Sequence, residues 1–137
     1  MRISSRCEYG LRAMVYLAAH TDGRPVPLSE IAQHEAIPGP FLERILARLR
    51  QSGLVRATRG ASGGYGLALP PAEIAVGDVV TALEGPLSLV GCVPDEGGCG
   101  RAASCASRVV WRRLDSAING ALDGITLEEL TREAVTR

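Results

Sequence analysis

The sequence predicts a mainly α-helical fold with one small β-hairpin. Apolar residues recur at spacings of three and four in several segments, which is the period of an amphipathic helix. Two short runs, 54–58 and 65–69, are instead strand-like and flank a glycine-rich segment at 59–64. Glycines there permit the positive φ angles of a tight hairpin. With 137 residues, the chain has room for one domain, or for a small domain with a dimerisation element.

Three helices are predicted before the hairpin. The first covers residues 8–19 and the second covers 28–34. After a turn at 35–38, the third helix covers 39–51, and Gly53 supplies a left-handed stop. The apolar side of the third helix is formed by Leu42, Ile45, Leu46 and Leu49, and its charged side by Glu43, Arg44, Arg48 and Arg50.

The second and third helices, joined by a tight turn, match the helix-turn-helix arrangement. Three helices alone would equally suit a generic helical domain. A following hairpin that carries Arg56 and Arg59 favours a winged helix that binds DNA, with the basic wing on phosphate. The predicted fold is therefore a winged helix-turn-helix domain followed by further helices.

The second half of the chain predicts a different organisation. A helix at 76–84 leads to a segment without hydrophobic period at 85–104, and a longer helix covers 105–122. A final helix begins after Thr126, whose side chain is placed to cap it. We expect a DNA-binding domain at 1–70, a linking helix and cysteine segment at 71–104, and dimerisation and C-terminal helices at 105–137.

The long helix carries one apolar stripe. Its members are Val110, Leu114, Ala117, Ile118 and Ala121. The stripe could be buried within one chain or could pair with the same helix of a second copy. Pairing is favoured because helix-turn-helix regulators commonly read two DNA half-sites as symmetric dimers. We therefore expect a homodimer.

Charge is divided unevenly along the chain. The formal net charge is zero, but residues 1–69 hold nine Arg against five acidic residues, whereas residues 70–137 hold six Arg against ten. A basic first half and an acidic second half suit a DNA-contacting domain joined to a sensing or pairing domain.

Three cysteines, Cys92, Cys99 and Cys105, lie within fourteen residues and have the spacing Cys-x6-Cys-x5-Cys. Thiolates bind zinc and iron–sulfur clusters, and a glycine-rich segment lets three of them converge on one centre. The alternative is that they are free thiols or a redox pair. Cys7 lies among helical residues and is interpreted as a small buried hydrophobic residue.

Other classes of protein fit the sequence poorly. No apolar run reaches the length of a membrane span, and the first residues lack the apolar stretch of a signal peptide, so we expect a cytoplasmic protein. An enzyme is also disfavoured. A nucleophilic cysteine needs a nearby base, and His20 and His34 are the only histidines.

The sequence resembles the Rrf2 family of winged-helix regulators over nearly its whole length. The residues that carry the resemblance are Met1-Arg2-Ile3-Ser4, Tyr9-Gly10-Leu11-Arg12-Ala13, Ile31-Ala32, Leu46-Ala47-Arg48-Leu49-Arg50-Gln51-Ser52-Gly53-Leu54-Val55, Arg59-Gly60, Gly63-Gly64-Tyr65, Leu67, Val76-Gly77-Asp78-Val79-Val80, the three clustered cysteines, Trp111 and Ile125-Thr126-Leu127. The resemblance implies a DNA-binding transcription regulator, such as a repressor, that recognises a double-stranded operator.

The same resemblance implies a set of DNA contacts. The helix at 39–51 would enter the major groove, with Glu43 and Arg44 as base contacts, because a carboxylate accepts from cytosine and a guanidinium donates to guanine. The wing would reach phosphate or the minor groove through Arg59. The full expected contact set is Arg2, Glu43, Arg44, Arg48, Arg56, Arg59, Gly63 and Gly64.

The resemblance also implies that Cys92, Cys99 and Cys105 hold a [2Fe–2S] or [4Fe–4S] cluster. The first cysteine gap is one residue longer than usual in the family, and Arg108 stands where some members have a histidine ligand. Glu8 occupies the position from which nitric-oxide-sensing members present a carboxylate of the partner subunit. It could equally be a solvated residue favoured by the helix dipole.

Two kinds of regulator therefore remain open. One senses iron, oxygen or nitric oxide through the cluster. The other has no cluster and senses through its cysteine thiols or a partner protein.

Overall fold

The computed structural model describes residues 3–86 and 106–136, with backbone only for 134–136. In chain order the elements are α1 (Ser5–Ala18), α2 (Leu28–Glu35), α3 (Gly39–Gln51), β1 (Val55–Thr58), β2 (Gly64–Leu67), a 3-10 turn (Pro71–Glu73), α4 (Val76–Glu84), α5 (Arg108–Asp123) and α6 (Leu127–Thr136). This mainly helical chain with one two-stranded antiparallel sheet confirms the predicted fold class. In the described ranges, no helix is both long enough and apolar enough to cross a bilayer.

Helix α1 begins three residues earlier than its apolar period indicates. The side chain of Ser4 accepts a hydrogen bond from the Cys7 amide (3.1 Å) and so satisfies one of the unpaired N–H groups of the first turn. Cys7 is 3% exposed and packs with Val76 and Val80 of α4. Burial is the main reason that the pKa of its thiol is raised, so Cys7 is a buried, protonated core residue at neutral pH.

The turn between α2 and α3 lies where the sequence predicts it. Ala36 adopts a left-handed conformation (φ 54°), which is uncommon for a residue with a Cβ. Its neighbour Ile37 is 3% exposed and donates its amide to the Ala32 carbonyl (2.9 Å). The buried Ile37 side chain therefore holds the chain in a strained turn that reverses its direction before Pro38 and the first residue of α3.

The wing is an antiparallel pair in which Val55 lies opposite Leu67 and Thr58 lies opposite Gly64. A third short segment joins it, because Val26 and Tyr65 exchange two backbone hydrogen bonds of 2.8 Å each. No pattern in the sequence indicates this pairing. It attaches the hairpin to the segment between α1 and α2. The wing is therefore connected to the chain before the helix-turn-helix by hydrogen bonds, and to the end of α3 by the chain itself.

One hydrophobic core runs across the predicted boundary at residue 70. Ile74, Val79 and Leu83 belong to the same buried cluster as the apolar faces of α1 and α3, and so does Leu127 of α6. A backbone hydrogen bond from the Val76 amide to the Ile125 carbonyl (2.8 Å) reinforces this packing. The described residues on both sides of position 70 therefore share one core. The division of the chain at residue 70 stays a prediction about which segment binds DNA and which segment senses or pairs.

Helix α5 begins at Arg108, three residues later than predicted, and none of its residues is buried. Its predicted stripe is open in the single chain: Val110 is 51% and Leu114 is 43% exposed, and Ala117 and Ala121 are exposed as well. Ile118 is half-buried. An apolar helix face of this extent is uncommon on a monomer.

Candidate DNA-binding site

Helix α3 has a charged face that is exposed to solvent. Leu42, Ile45, Leu46 and Leu49 are each 0% exposed and fix the rotation of the helix about its axis. Glu43 and Arg44 consequently lie on the exposed side, near the start of the helix. A helix entering the major groove contacts bases through its N-terminal residues. Glu43 and Arg44 are thus exposed in the N-terminal half of α3, and their role as base contacts stays a prediction.

Two contacts fix α1 against the helix-turn-helix, one at the start of α3 and one at the end of α2. The rings of Tyr9 and Phe41 meet edge to face with centroids 5.6 Å apart. Arg12 forms an ion pair with the Glu35 carboxylate (Nε to Oε2, 3.3 Å) and also donates to the Glu35 backbone carbonyl. Arg12 thus binds the end of α2, where unpaired carbonyls favour a cation. No sequence pattern indicates either contact, because the two partners of each contact are distant along the chain.

Arg48 differs from the other predicted contacts of α3. Its guanidinium donates from Nη1 to the Leu83 carbonyl oxygen of α4 (2.9 Å). The sequence pattern assigns Arg48 to the charged face that would meet DNA, but the structure turns its side chain towards α4.

The wing carries Arg56 and Arg59, which are both exposed. A Cβ atom on Gly63 would overlap the Thr58 carbonyl oxygen, and one on Gly64 would overlap the Val26 carbonyl oxygen. Both glycines are therefore needed for the close approach of backbone segments that shapes the hairpin. Gly63 and Gly64 are also predicted to contact DNA. That role stays a prediction, and it is compatible with their structural role because both depend on the backbone at the tip of the wing.

A second group of side chains ties the end of α1 to the start of α2. Tyr16 donates its hydroxyl to Glu30 (2.7 Å), and Arg24 contacts the same carboxylate (3.4 Å). The Tyr16 hydrogen bond is the main reason that the pKa of Glu30 is lowered and that the pKa of Tyr16 is raised. His20 stacks on the Tyr16 ring at 4.2 Å between centroids, and His34 lies against the same ring at 4.7 Å. Both histidines of the chain thus pack around a tyrosine.

The three predicted cluster ligands, Cys92, Cys99 and Cys105, lie outside the described residues, as does Arg2. Within residues 3–86 and 106–136, no group of three or more histidine, cysteine or carboxylate side chains is arranged to hold a metal ion. Glu8 is described. It lies in the first turn of α1 and is exposed, so its carboxylate is accessible to a second chain.

Residues 3–133 match a family model named Rrf2 and described as an iron-dependent transcriptional regulator. The HTH-type transcriptional regulator IscR of Aliivibrio salmonicida is 40% identical to the chain over 130 residues, which cover 95% of the chain and 77% of IscR.

Solved structures agree with these sequence matches. The global cysteine regulator CymR of B. subtilis superposes with a TM-score of 0.81 at 37% identity, covering 97% of this chain and 98% of CymR. IscR of T. potens gives a TM-score of 0.80 at 36% identity, covering 98% and 88% respectively.

Proposed function

Because the chain belongs to the Rrf2 family of DNA-binding transcription regulators, we propose that an iron–sulfur cluster bound to a homodimer controls its affinity for an operator. The named relatives are transcription regulators, and the chain is not an enzyme. The observation that carries the proposal is the position of three cysteines between α4 and α5, in a chain that also presents the exposed α3 face and the basic wing. We place this regulator in the cytoplasm.

The donor set suits the cluster. Cys92, Cys99 and Cys105 would supply three thiolates, which are the usual ligands of iron–sulfur centres. The bound cluster would supply a centre whose occupancy follows the supply of iron and whose iron atoms are reactive towards oxygen and nitric oxide. We propose Glu8 of the partner subunit as the fourth ligand, because Glu8 is exposed at the start of α1. A carboxylate is a harder donor than a thiolate, so this position would be the weakest attachment.

The proposed dimer forms through the apolar face of α5. Its exposed residues Val110 and Leu114 would be buried against the same residues of the partner, as a two-fold symmetric interface requires. A symmetric dimer would present two α3 helices to half-sites about one DNA turn, or a multiple of a turn, apart. A ligand donated across the subunits would make cluster binding depend on the geometry of this dimer.

The likeness to CymR favours a second candidate, a regulator without a cluster. CymR is named as a cysteine regulator, and its fold matches this chain over nearly the full length of both proteins. An absorbance spectrum of protein purified without oxygen distinguishes the two candidates. We expect visible absorbance from iron–sulfur charge transfer. A colourless protein with stoichiometric free thiols would favour the second candidate.

For the DNA-binding surface, we expect Arg59→Ala to weaken operator binding and to lower the slope of log affinity against log salt by about one unit, since one phosphate contact is lost. Affinity measured by fluorescence anisotropy at several salt concentrations gives both values. The matched control is Arg132→Ala, which removes the same charge from a side chain of α6 that is 71% exposed. Equal slopes for Arg59→Ala and the unmodified protein would refute the role of the wing.

A further inference from the structure

The end of α4 is held by the DNA-binding helix in addition to its own C-cap, Gly85, whose amide donates to the Thr81 carbonyl (2.8 Å). Residues at the C-terminus of a helix leave carbonyl groups without intrahelical partners, and Leu83 is the second-last residue of α4. Arg48 of α3 donates to the Leu83 carbonyl at 2.9 Å. A cation at this end of a helix is also favoured by the helix dipole. The interaction therefore stabilises the end of α4 and fixes the last turn of α3 against it.

The side chain of Leu83 strengthens the same junction. Leu83 is fully buried, and it occupies the space that a Cβ on Gly10 of α1 would need. Ile45 of α3 lies beside it, 3.3 Å from that Cβ position. Because protein interiors are closely packed, a displacement of Leu83 must displace α1 or α3.

The neighbouring residue Glu84 connects this junction to the start of α1. Its carboxylate accepts a hydrogen bond from the Ser4 hydroxyl and lies 3.9 Å from the Arg6 guanidinium. The chain then leaves the helix at Gly85, whose positive φ (79°) ends α4. The end of α4 is thus joined both to the segment that carries Glu8 and to the recognition helix α3.

We propose that Arg48 is a positioning residue, not a DNA contact, and that it transmits the state of the cluster from the end of α4 to α3. This inference rests on the proposed function, because Gly85 is where the chain departs towards the predicted ligands. Cluster loss that shifts the end of α4 would shift the Leu83 carbonyl, and α3 would move with it through Arg48. The hydrogen bond between Arg48 and the Leu83 carbonyl would then differ between protein with the cluster and protein without it. Allosteric coupling requires such a difference in contacts between two states.

The test compares Arg48→Met with Arg50→Met in the full-length protein. Both changes remove one arginine from the last turn of α3. DNA selected from a random pool by the unmodified protein serves as the probe. Its affinity is measured for anaerobically reconstituted and for chelator-stripped protein, at several salt concentrations. The ratio of the two affinities reports the coupling, and the salt slope reports phosphate contacts.

We expect Arg48→Met to bring the affinity ratio at least about twofold closer to one, which is the lower end of the usual size of coupling changes, with an unchanged salt slope. Arg50→Met should leave the ratio unchanged. In stripped protein, hydrogen exchange should be faster at the Gly85 amide of Arg48→Met, because that amide bonds to Thr81 in the last turn of α4. If Met at this position prevents folding, Arg48→Lys is measured instead, and a smaller change in the ratio is expected.

Three outcomes overturn the inference. Equal losses of affinity in both states, together with a salt slope lowered by about one unit, would show that Arg48 is a phosphate contact. An unmodified protein whose affinity ratio is one would overturn the proposed function and this inference with it. A ratio that differs from one and survives in Arg48→Met would overturn the inference alone.

Discussion

The double variant Leu114→Glu, Ile118→Glu is expected to be a monomer and to lose about 10²- to 10⁴-fold in operator affinity, which is the usual gain from linking two binding modules. The two residues lie on the α5 stripe, where Leu114 is 43% exposed in the single chain and Ile118 is half-buried. In the proposed dimer the variant would place four carboxylates in one apolar seam, and burial of unpaired charge is strongly unfavourable.

A sizing column with light scattering measures the mass of this variant, and anisotropy measures its affinity for DNA. The control is Ser116→Glu, which adds a negative charge to an exposed position two residues along α5, away from the stripe. That protein should remain a dimer with unchanged affinity. A double variant that keeps the dimer mass would show that subunits associate through another surface.

Replacement of any one of Cys92, Cys99 and Cys105 by Ala is expected to abolish the visible absorbance of the protein. Each change removes one of three thiolate ligands, and the remaining donors cannot complete the coordination of the cluster. The matched control is Cys7→Ala. Cys7 is buried against Val76 and Val80, so its loss should lower thermal stability and leave iron and sulfide content unchanged.

The variant Glu8→Ala tests the proposed fourth ligand independently of the three cysteines. We expect it to retain a cluster that is lost faster or reacts differently with nitric oxide, since only the weakest attachment is removed. Full iron and sulfide content in all three single cysteine variants would contradict the cluster assignment and would favour the regulator without a cluster.

Local patterns were sufficient to predict most of the fold. The apolar period located α2, α3 and α4 to within a residue at each end, because their buried faces follow the helical repeat closely. The glycine-rich segment located the hairpin, since the approach of Gly63 to Thr58 admits no larger residue. The start of α1 was missed because it is set by Ser4, a capping residue that precedes the apolar period.

Features that depend on distant partners could not be predicted in this way. Val26 pairs with Tyr65 as a single residue between two prolines, and one residue has no alternation to recognise. Arg48 has the sequence signature of any exposed arginine on a charged helix face. Its partner is a backbone carbonyl that is 35 positions away and becomes available only because α4 ends at that point.

The most direct test of the account is the operator affinity of the unmodified protein with and without its cluster. Protein purified anaerobically would be divided into a reconstituted and a chelator-stripped sample, with iron and sulfide measured in each, and both would be titrated against the same selected DNA. We expect one cluster per subunit and affinities that differ by at least about fivefold, the lower end of ordinary allosteric coupling. Equal affinities in two samples that differ fully in iron and sulfide content would contradict control by the cluster.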